Sequence, residues 1–563
     1  MMSRLALMIV VFALPAFAVR PWSQGAVAAQ HPLGSAAAKE MLDAGGNAVD
    51  AIVAGAFTMA VVGPYHSGLG GGGFAVLHLV GGKDGPKDLA FDFREFAPLA
   101  ATRDMYLVDG KLVPEKATDG LLSVAVPGAV KGYLELHAKY GKLPRAKVLA
   151  PAVRAAKEGF LVTPKYRDIA LKREACLKAD PEASKIFLRD GVAPALGTKI
   201  VQTDLAATLS ALAKSGDAPF YTGKIAQQIA ATMKAGGGIV TAEDLAKYHT
   251  TWRTPLEGSY RGQRIVTMPP PSAGGLAMLE TFGILEAKGV KGPGTREVDS
   301  LHTFIEALRI AYADRSKVMG DPAFVEVPLS QLLSKEYATA SAAKIDLTKA
   351  TRSATLMAPG AADVGKKNTS HLSVIDREGN AVALTTTINY YFGSCVVAKG
   401  TGVLLNDQMD DFAAQPGVPN TFQLVMGEAN AIAPGKIPVS SMTPTIVFQK
   451  DRPNDVMLSV GSPGGSTIPT TVMQVISNII DGELDVARAV SRGRIHHQWL
   501  PDEVWVDPDG FDPATQKALE ARGHTIKRLS GWGDAEAVMV DPVTGLRSAA
   551  SDPRNEGWPA GQD

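Results

Sequence analysis

Along residues 371–389 the chain alternates. Leu372 and Val374 stand against His371 and Ser373; past a turn at Asp376-Arg377-Glu378-Gly379, Val382, Leu384, Thr386 and Ile388 stand against Thr385, Thr387 and Asn389. A period of two sends successive side chains to opposite faces of a strand, so 371–375 and 381–389 predict a hairpin. Thr369 falls in step with His371 and Ser373, and Ala381 and Ala383 leave room on the Thr385 face. Two readings follow from this alternation. One is an ordinary solvated polar face built from good strand formers. The other is a group of hydroxyls gathered around Thr369.

Elsewhere the period lengthens. Residues 35–44 and 47–62 read as helices parted by Gly45-Gly46, with Asn47 placed to cap the second and Asp50 to complement its positive end. The second is apolar almost all round and should be buried. Residues 68–73 spell a formal G-x-G-x-x-G, but a helix precedes it and a strand, 75–80, follows, the reverse of a dinucleotide fingerprint. Close backbone approach or unusual dihedrals explain such glycines better. Residues 89–94 alternate as a partner strand. From 127 to 347 the pattern is mainly helical, over 127–140, 147–159, 204–214, 223–235 and 298–317, with Pro127 suited to a first helical position. Residues 348–367 have no period and read as an exposed, mobile linker. Strands at 445–449, 456–460 and 504–507 and helices at 468–480 and 513–521 complete a layered α/β or α+β pattern.

Composition narrows the partners. In 563 residues the formal net charge is zero, which gives nothing to draw the chain to nucleic acid or an anionic membrane. Arg4, the apolar run from Leu5 to Leu14 and Ala16-Phe17-Ala18 form an export signal with a cleavage site, so the mature chain should start near Val19 and work outside the cytoplasm, periplasmic or secreted. An uncleaved anchor is the alternative, although the run is short for a bilayer, which takes about 20 apolar residues. Two cysteines, Cys176 and Cys395, cannot make a disulfide framework. Cys395 reads as a buried, inert thiol. His496 and His497 are adjacent, without metal-ligand spacing, and read as structural.

The candidate chemistry centres on Thr369. Inside a chain its hydroxyl is a poor nucleophile; with the preceding peptide bond cut, its own α-amine becomes the base. The ordered run Thr369-Ser370-His371-x-Ser373-Val374, Gly379-Asn380-x-Val382-Ala383-x-Thr385-x-Thr387-Ile388-Asn389 and Phe392-Gly393 resembles the signature of γ-glutamyltransferases, or glutathione hydrolases, which are Ntn-type hydrolases. The resemblance extends through Gly45 to Ala51, Phe93-Arg94-Glu95, Leu405 to Phe412, Pro438 to Met442, Gly461 to Gly465, His496 to Trp499 and Ala550 to Arg554.

That resemblance implies an α+β fold, a four-layer αββα sandwich. It implies self-cleavage between Asn368 and Thr369, giving a signal peptide 1–18, a large chain 19–368 and a small chain 369–563 that associate as a heterodimer. Thr369 would then take the γ-glutamyl group of glutathione or another γ-glutamyl compound and pass it to water or to an amino-acid or peptide acceptor, with no cofactor and no metal. Thr387 matches the threonine that orients the nucleophile. Gly464 and Gly465, before a helix, suit an oxyanion hole. Arg94 matches the carboxylate-binding arginine, Ser440 and Ser441 its hydroxyl partners, and Asp411 the acid for the α-ammonium, with Gln408 and Asn389 supporting it. Phe422 stands where bacterial relatives often carry a gating tyrosine, so its ring can cover the site without a hydroxyl. Cys395 stands where glycine is common in relatives. Two other functions fit parts of this pattern: an acylase acting on glutaryl or β-lactam side chains, and an unprocessed exported binding protein.

Overall fold

The computed structural model describes residues 20–81, 85–356 and 369–563. The residues that read as an export signal, most of the expected linker and Asn368 lie outside the described residues.

Two seven-stranded sheets lie face to face. Sheet I runs in space as Ala560–Gln562, Gly25–Ala29, Ser370–Ile375, Ala381–Thr387, Gly72–Leu79, Lys87–Phe93 and Thr251–Arg253. Sheet II runs as Pro21–Trp22, Arg547–Ser551, Glu536–Val540, Arg452–Gly461, Thr445–Gln449, Gln263–Thr267 and Leu256–Tyr260. Between the sheets, Ala28, Phe74, Val76, Ala381 and Ala383 of sheet I meet Val266, Ile446, Phe448 and Val538 of sheet II. The alternate residues of sheet I, among them Ala75, Leu77, Leu372, Val374 and Leu384, pack with residues of the helix Ala48–Val62. On the far side of sheet II, Val447, Leu458, Val460 and Ala537 pack with the helices Gly274–Lys288, Val298–Val318 and Ile468–Ile480. Three apolar seams therefore separate four layers, αββα.

The expected hairpin forms, with His371 opposite Thr385 and Ser373 opposite Ala383. Its polar face is not solvated, because it is turned toward sheet II and both strands are wholly buried. Burial forces those polar atoms to find partners. His371 Nδ1 lies 2.8 Å from the Thr385 hydroxyl, its Nε2 lies 3.0 Å from Ser373 Oγ, and Ser373 Oγ donates to the Glu536 carbonyl of sheet II at 3.1 Å. Burial pushes His371 down to about 3, so its ring is neutral at ordinary pH.

The capped helix also forms. Asn47 accepts from the N–H groups of Val49 and Asp50 at 3.1 Å each, and Asp50 accepts from Asn47 N–H at 3.0 Å, a reciprocal capping box. The glycine run owes its composition to close approach: a methyl at Gly71 would collide with the Thr387 carbonyl oxygen, and one at Gly73 with that of Thr385. Gly71 has a second task. Its carbonyl takes the N–H groups of Gly128 and Ala129, both at 2.8 Å, so the helix expected from Pro127 begins instead at Ala129.

Three further expectations are corrected. The mainly helical stretch 127–347 contains the strands Thr251–Arg253, Leu256–Tyr260 and Gln263–Thr267, which complete the edges of both sheets. The described part of the linker is exposed at residues 348, 349, 352, 354 and 355 as expected, but it is anchored at Ser353, which is buried, donates its N–H to Asp502 at 2.8 Å and accepts from Trp499 Nε1 at 3.0 Å with its carbonyl. Cys395 is no free thiol but is bonded to Cys176. The two sulfurs meet because the fold brings their Cα atoms to 5.8 Å, within the span a disulfide needs.

Candidate active site

One cavity opens at the end of the intersheet seam. Thr369, Thr387, Asn389, Gly465, Arg94, Gln408, Asp411, Ser440 and Ser441 all line it. Gly464 does not line it but lies one residue back in the same turn.

Thr369 is buried at the mouth of strand Ser370–Ile375. Its Oγ1 lies 3.4 Å from Thr387 Oγ1. Thr387 Oγ1 accepts the Asn389 N–H at 2.9 Å, which aims its own proton or lone pair toward Thr369. Asn389 has a left-handed backbone, φ 75°, where the strand breaks into a loop, and its amide donates to the Asp407 carbonyl at 3.0 Å. Gly465, on the cavity wall, and Gly464 just behind it have φ of 54° and 133°, values that favour glycine. They turn the chain from strand Arg452–Gly461 into helix Ile468–Ile480, with Thr467 N–H and hydroxyl both donating to the Gly464 carbonyl.

The charged wall has different chemistry. Arg94 is fully buried and its Nη2 donates to Asp411 Oδ2; Nη1 reaches Glu95 at 3.2 Å. Gln408 Nε2 donates to the same Asp411 oxygen at 2.7 Å. Burial raises the Asp411 carboxyl, opposed by Arg94, Gln408 and Arg315. Burial raises Glu95 to about 7 despite Arg94 beside it. Asp410, one residue from Asp411, is raised to about 7 by burial and by the charge on Asp411. Ser440 N–H donates to the Pro271 carbonyl at 3.0 Å and its hydroxyl oxygen accepts from Met442 N–H at 3.1 Å, which fixes the strand-like entry of the serine pair.

Two polar lining residues have no role in the sequence reading, although Asn420 falls in the run Asp411 to Met426, with Pro416-Gly417-Val418-Pro419-Asn420, that resembles the lid loop of bacterial relatives. Arg315, in the last turn of helix Val298–Val318, is buried with Nε and Nη1 lacking hydrogen-bond partners, and it feels the charge of Asp411. In sequence it looks like a basic residue suited to a helix C-terminus, and only the tertiary fold turns it inward. Asn420 sits in the loop 413–427, where its side-chain oxygen accepts from the N–H groups of Phe422 and Leu424 at 3.0 and 3.2 Å, an arrangement typical of Asn in turns. That loop lays Phe422, Leu424 and Met426 over the cavity, and Ser316 Oγ pins it at the Val425 carbonyl, 2.7 Å. His496 and His497 stay away from the cavity; His496 bonds Thr470 and Gln498, both at 2.9 Å.

A family profile described as Gamma-glutamyltranspeptidase matches residues 34–562. The glutathione hydrolase proenzyme of Escherichia coli (strain K12) is 44% identical over 534 residues, 94% of this chain and 90% of that one. The acylase ACY 1 proenzyme of Pseudomonas sp. (strain SE83) is 36% identical, over 94% of this chain and 92% of its own. Among solved structures, a cephalosporin acylase from Bacillus halodurans superposes with a TM-score of 0.85 at 30% identity, covering 99% of this chain and all of that one. With a full-length profile match, a shared sandwich and a threonine-centred cavity at the end of its seam, the chain belongs to the gamma-glutamyltranspeptidase family.

Proposed function

We propose that the protein is an exported γ-glutamyltransferase and glutathione hydrolase that cuts itself between Asn368 and Thr369. In the cut, Thr369 Oγ adds to the Asn368 carbonyl carbon, the C–N bond breaks, and the nitrogen becomes the Thr369 α-amine. Water hydrolyses the resulting ester and leaves an Asn368 carboxylate. The freed amine then accepts the proton of its own hydroxyl as Oγ attacks the γ-carbonyl of the donor. The oxyanion falls to the N–H groups of the Gly464-Gly465 turn, an arrangement in which one donor is worth about 3 kcal/mol. The leaving amine departs with a proton, and water or an acceptor amine discharges the γ-glutamyl ester. Thr387 holds the attacking oxygen in line. The neutral, hydrogen-bonded His371 is a brace behind it, not the base.

The observation that carries this reading is the Arg94–Asp411 pair inside the Thr369 cavity. A glutamyl head group bears both a carboxylate and an ammonium. Inserted between the pair, it gives Arg94 an anion, with the Ser440 and Ser441 hydroxyls beside it. It gives Asp411 a cation, with Gln408 and Asn389 beside that. A glutaryl group supplies only the carboxylate and leaves Asp411 buried without its partner, a loss of several kcal/mol. The described residues contain no helix long and apolar enough to cross a membrane. The 1–18 segment supports export, and the large and small chains share both sheets, which supports a stable heterodimer.

The test compares γ-glutamyl and glutaryl anilides on the purified protein. A strong preference for γ-glutamyl that collapses in Asp411→Asn is expected. Equal turnover of both, unchanged by Asp411→Asn, would overturn the donor assignment and favour the acylase that relatives of this fold include.

A further inference from the structure

The disulfide joins two residues that lie on opposite sides of the Asn368–Thr369 bond. Cys176 belongs to the short helix Glu174–Ala179, and Cys395 follows the tight loop that begins at Asn389. They are the only cysteines of the chain. In an uncut chain the bridge closes a loop that contains residue 369, with a sequence separation of 219. Opening the 368–369 bond changes its topology. The loop becomes linear, and the bridge becomes the single covalent connection between the two chains.

Other contacts set the two sulfurs in place independently of the bond. The loop carrying Cys395 is held in left-handed backbone at Phe392 (φ 58°), Gly393 (50°) and Cys395 (60°). Arg173, three residues before Cys176, grips that loop. It donates to the carbonyls of Tyr391 at 2.9 Å and Gly393 at 3.1 Å and to Cys395 Sγ at 3.1 Å, with its guanidinium over the Tyr390 ring. Tyr166 and Phe187 close on the Phe392 ring. Every one of these gripping side chains comes from before residue 369, and everything they grip comes from after it.

We propose that Cys176–Cys395 is an interchain cross-link site, so that the mature enzyme is one covalent molecule of two chains. This rests on the scission proposed above. The bond forms by two thiol–disulfide exchanges with a disulfide oxidant, protein or small molecule, in an oxidising compartment. One cysteine thiolate attacks the oxidant and displaces its first thiolate; the other attacks the mixed disulfide and displaces the second. Two electrons pass to the oxidant and the two cysteines give up two protons.

The experiment is electrophoresis and intact mass of the purified full protein, alkylated with N-ethylmaleimide before denaturation, with and without dithiothreitol. Two chains with reductant, one beginning at Thr369, and a single species of their combined mass without it are the expected result. Two chains in both lanes, each carrying one maleimide, would overturn the cross-link while leaving scission intact. One chain in both lanes would overturn scission and the cross-link together. A second measurement covers variants that fold poorly. After dilution from urea, the half-time for regaining activity should be independent of protein concentration in the parent. It should lengthen about tenfold per tenfold dilution in Cys176→Ser or Cys395→Ser, because the chains must then find each other. Equal concentration dependence in parent and variants would count against the bridge.

Discussion

The two ends of the cavity are built from opposite materials. At the Thr369 end the described groups that face the cavity are neutral: two hydroxyls, a backbone N–H and a glycine turn. At the Arg94 end ions dominate, with Arg94 and Arg315 buried, Asp411 partly buried between them and Gln408 beside it. Neutral groups can be held at fixed geometry inside a protein at little electrostatic cost, which suits a step that needs orientation. Buried ions are costly until each has a partner, which suits selection, because a ligand with the wrong charges leaves one of them unpaired. Damage to the first end should therefore appear in turnover and maturation, and damage to the second in donor affinity.

The largest test of that division is Thr369→Ala. It should leave a single uncut chain in mass spectrometry and lower γ-glutamyl release by at least ~10⁴-fold, the scale of losing a nucleophile. A cut or active variant would refute the mechanism. Next is Arg94→Ala, which strands Asp411 and should cost about 3–5 kcal/mol in kcat/KM, mostly as raised KM. The 368–369 cut should persist; loss of the cut as well would mean that the two ends are not separable. Thr387→Val should reduce kcat by about tenfold to a hundredfold, about 1–3 kcal/mol for one lost hydrogen bond. KM should change little and Thr387→Ser should recover most of the rate. Arg315→Met should act on the ionic end alone. Without that cation the Asp411 carboxyl rises further, so the acid limb of kcat/KM should move to higher pH while the alkaline limb stays. The last test concerns stability and not turnover. His371 folds with its pKa pushed down to about 3, against about 6.5 in an unfolded chain. Between those values the unfolded state binds the extra proton, so stability rises with pH across that window. In His371→Gln, urea denaturation between pH 4 and 6 should lose about one proton's worth of that slope.

The parts of this molecule differ in how far sequence alone exposes them. The hairpin around Thr369 was readable because period-two alternation survives wherever one face differs from the other. What alternation could not say was that the polar face meets a second sheet, since burial and solvation leave the same pattern of threonines and serines. The strand Gly25–Ala29 carries mostly alanine, a weak strand former, and went unread for that reason. The ionic end was legible only through family resemblance, because Arg94, Asp411 and Ser440 are far apart along the chain. Arg315 offered no local sign at all. The cysteine pair did offer one: an even count, beside an N-terminal run that reads as an export signal, points to pairing.

Gly71 and Gly73 belong to the stretch before residue 369, yet it is the carbonyls of Thr385 and Thr387 that rest against them. The strand that carries the Thr387 hydroxyl is thus backed by residues that contribute no side chain. A fragment produced already trimmed to Thr369 would own every atom of the nucleophile and its helper, with nothing to lean on. Under the proposed scission, competence becomes a property of the joined pair, and even a methyl group added at Gly71 should reach the chemistry by nudging its backrest.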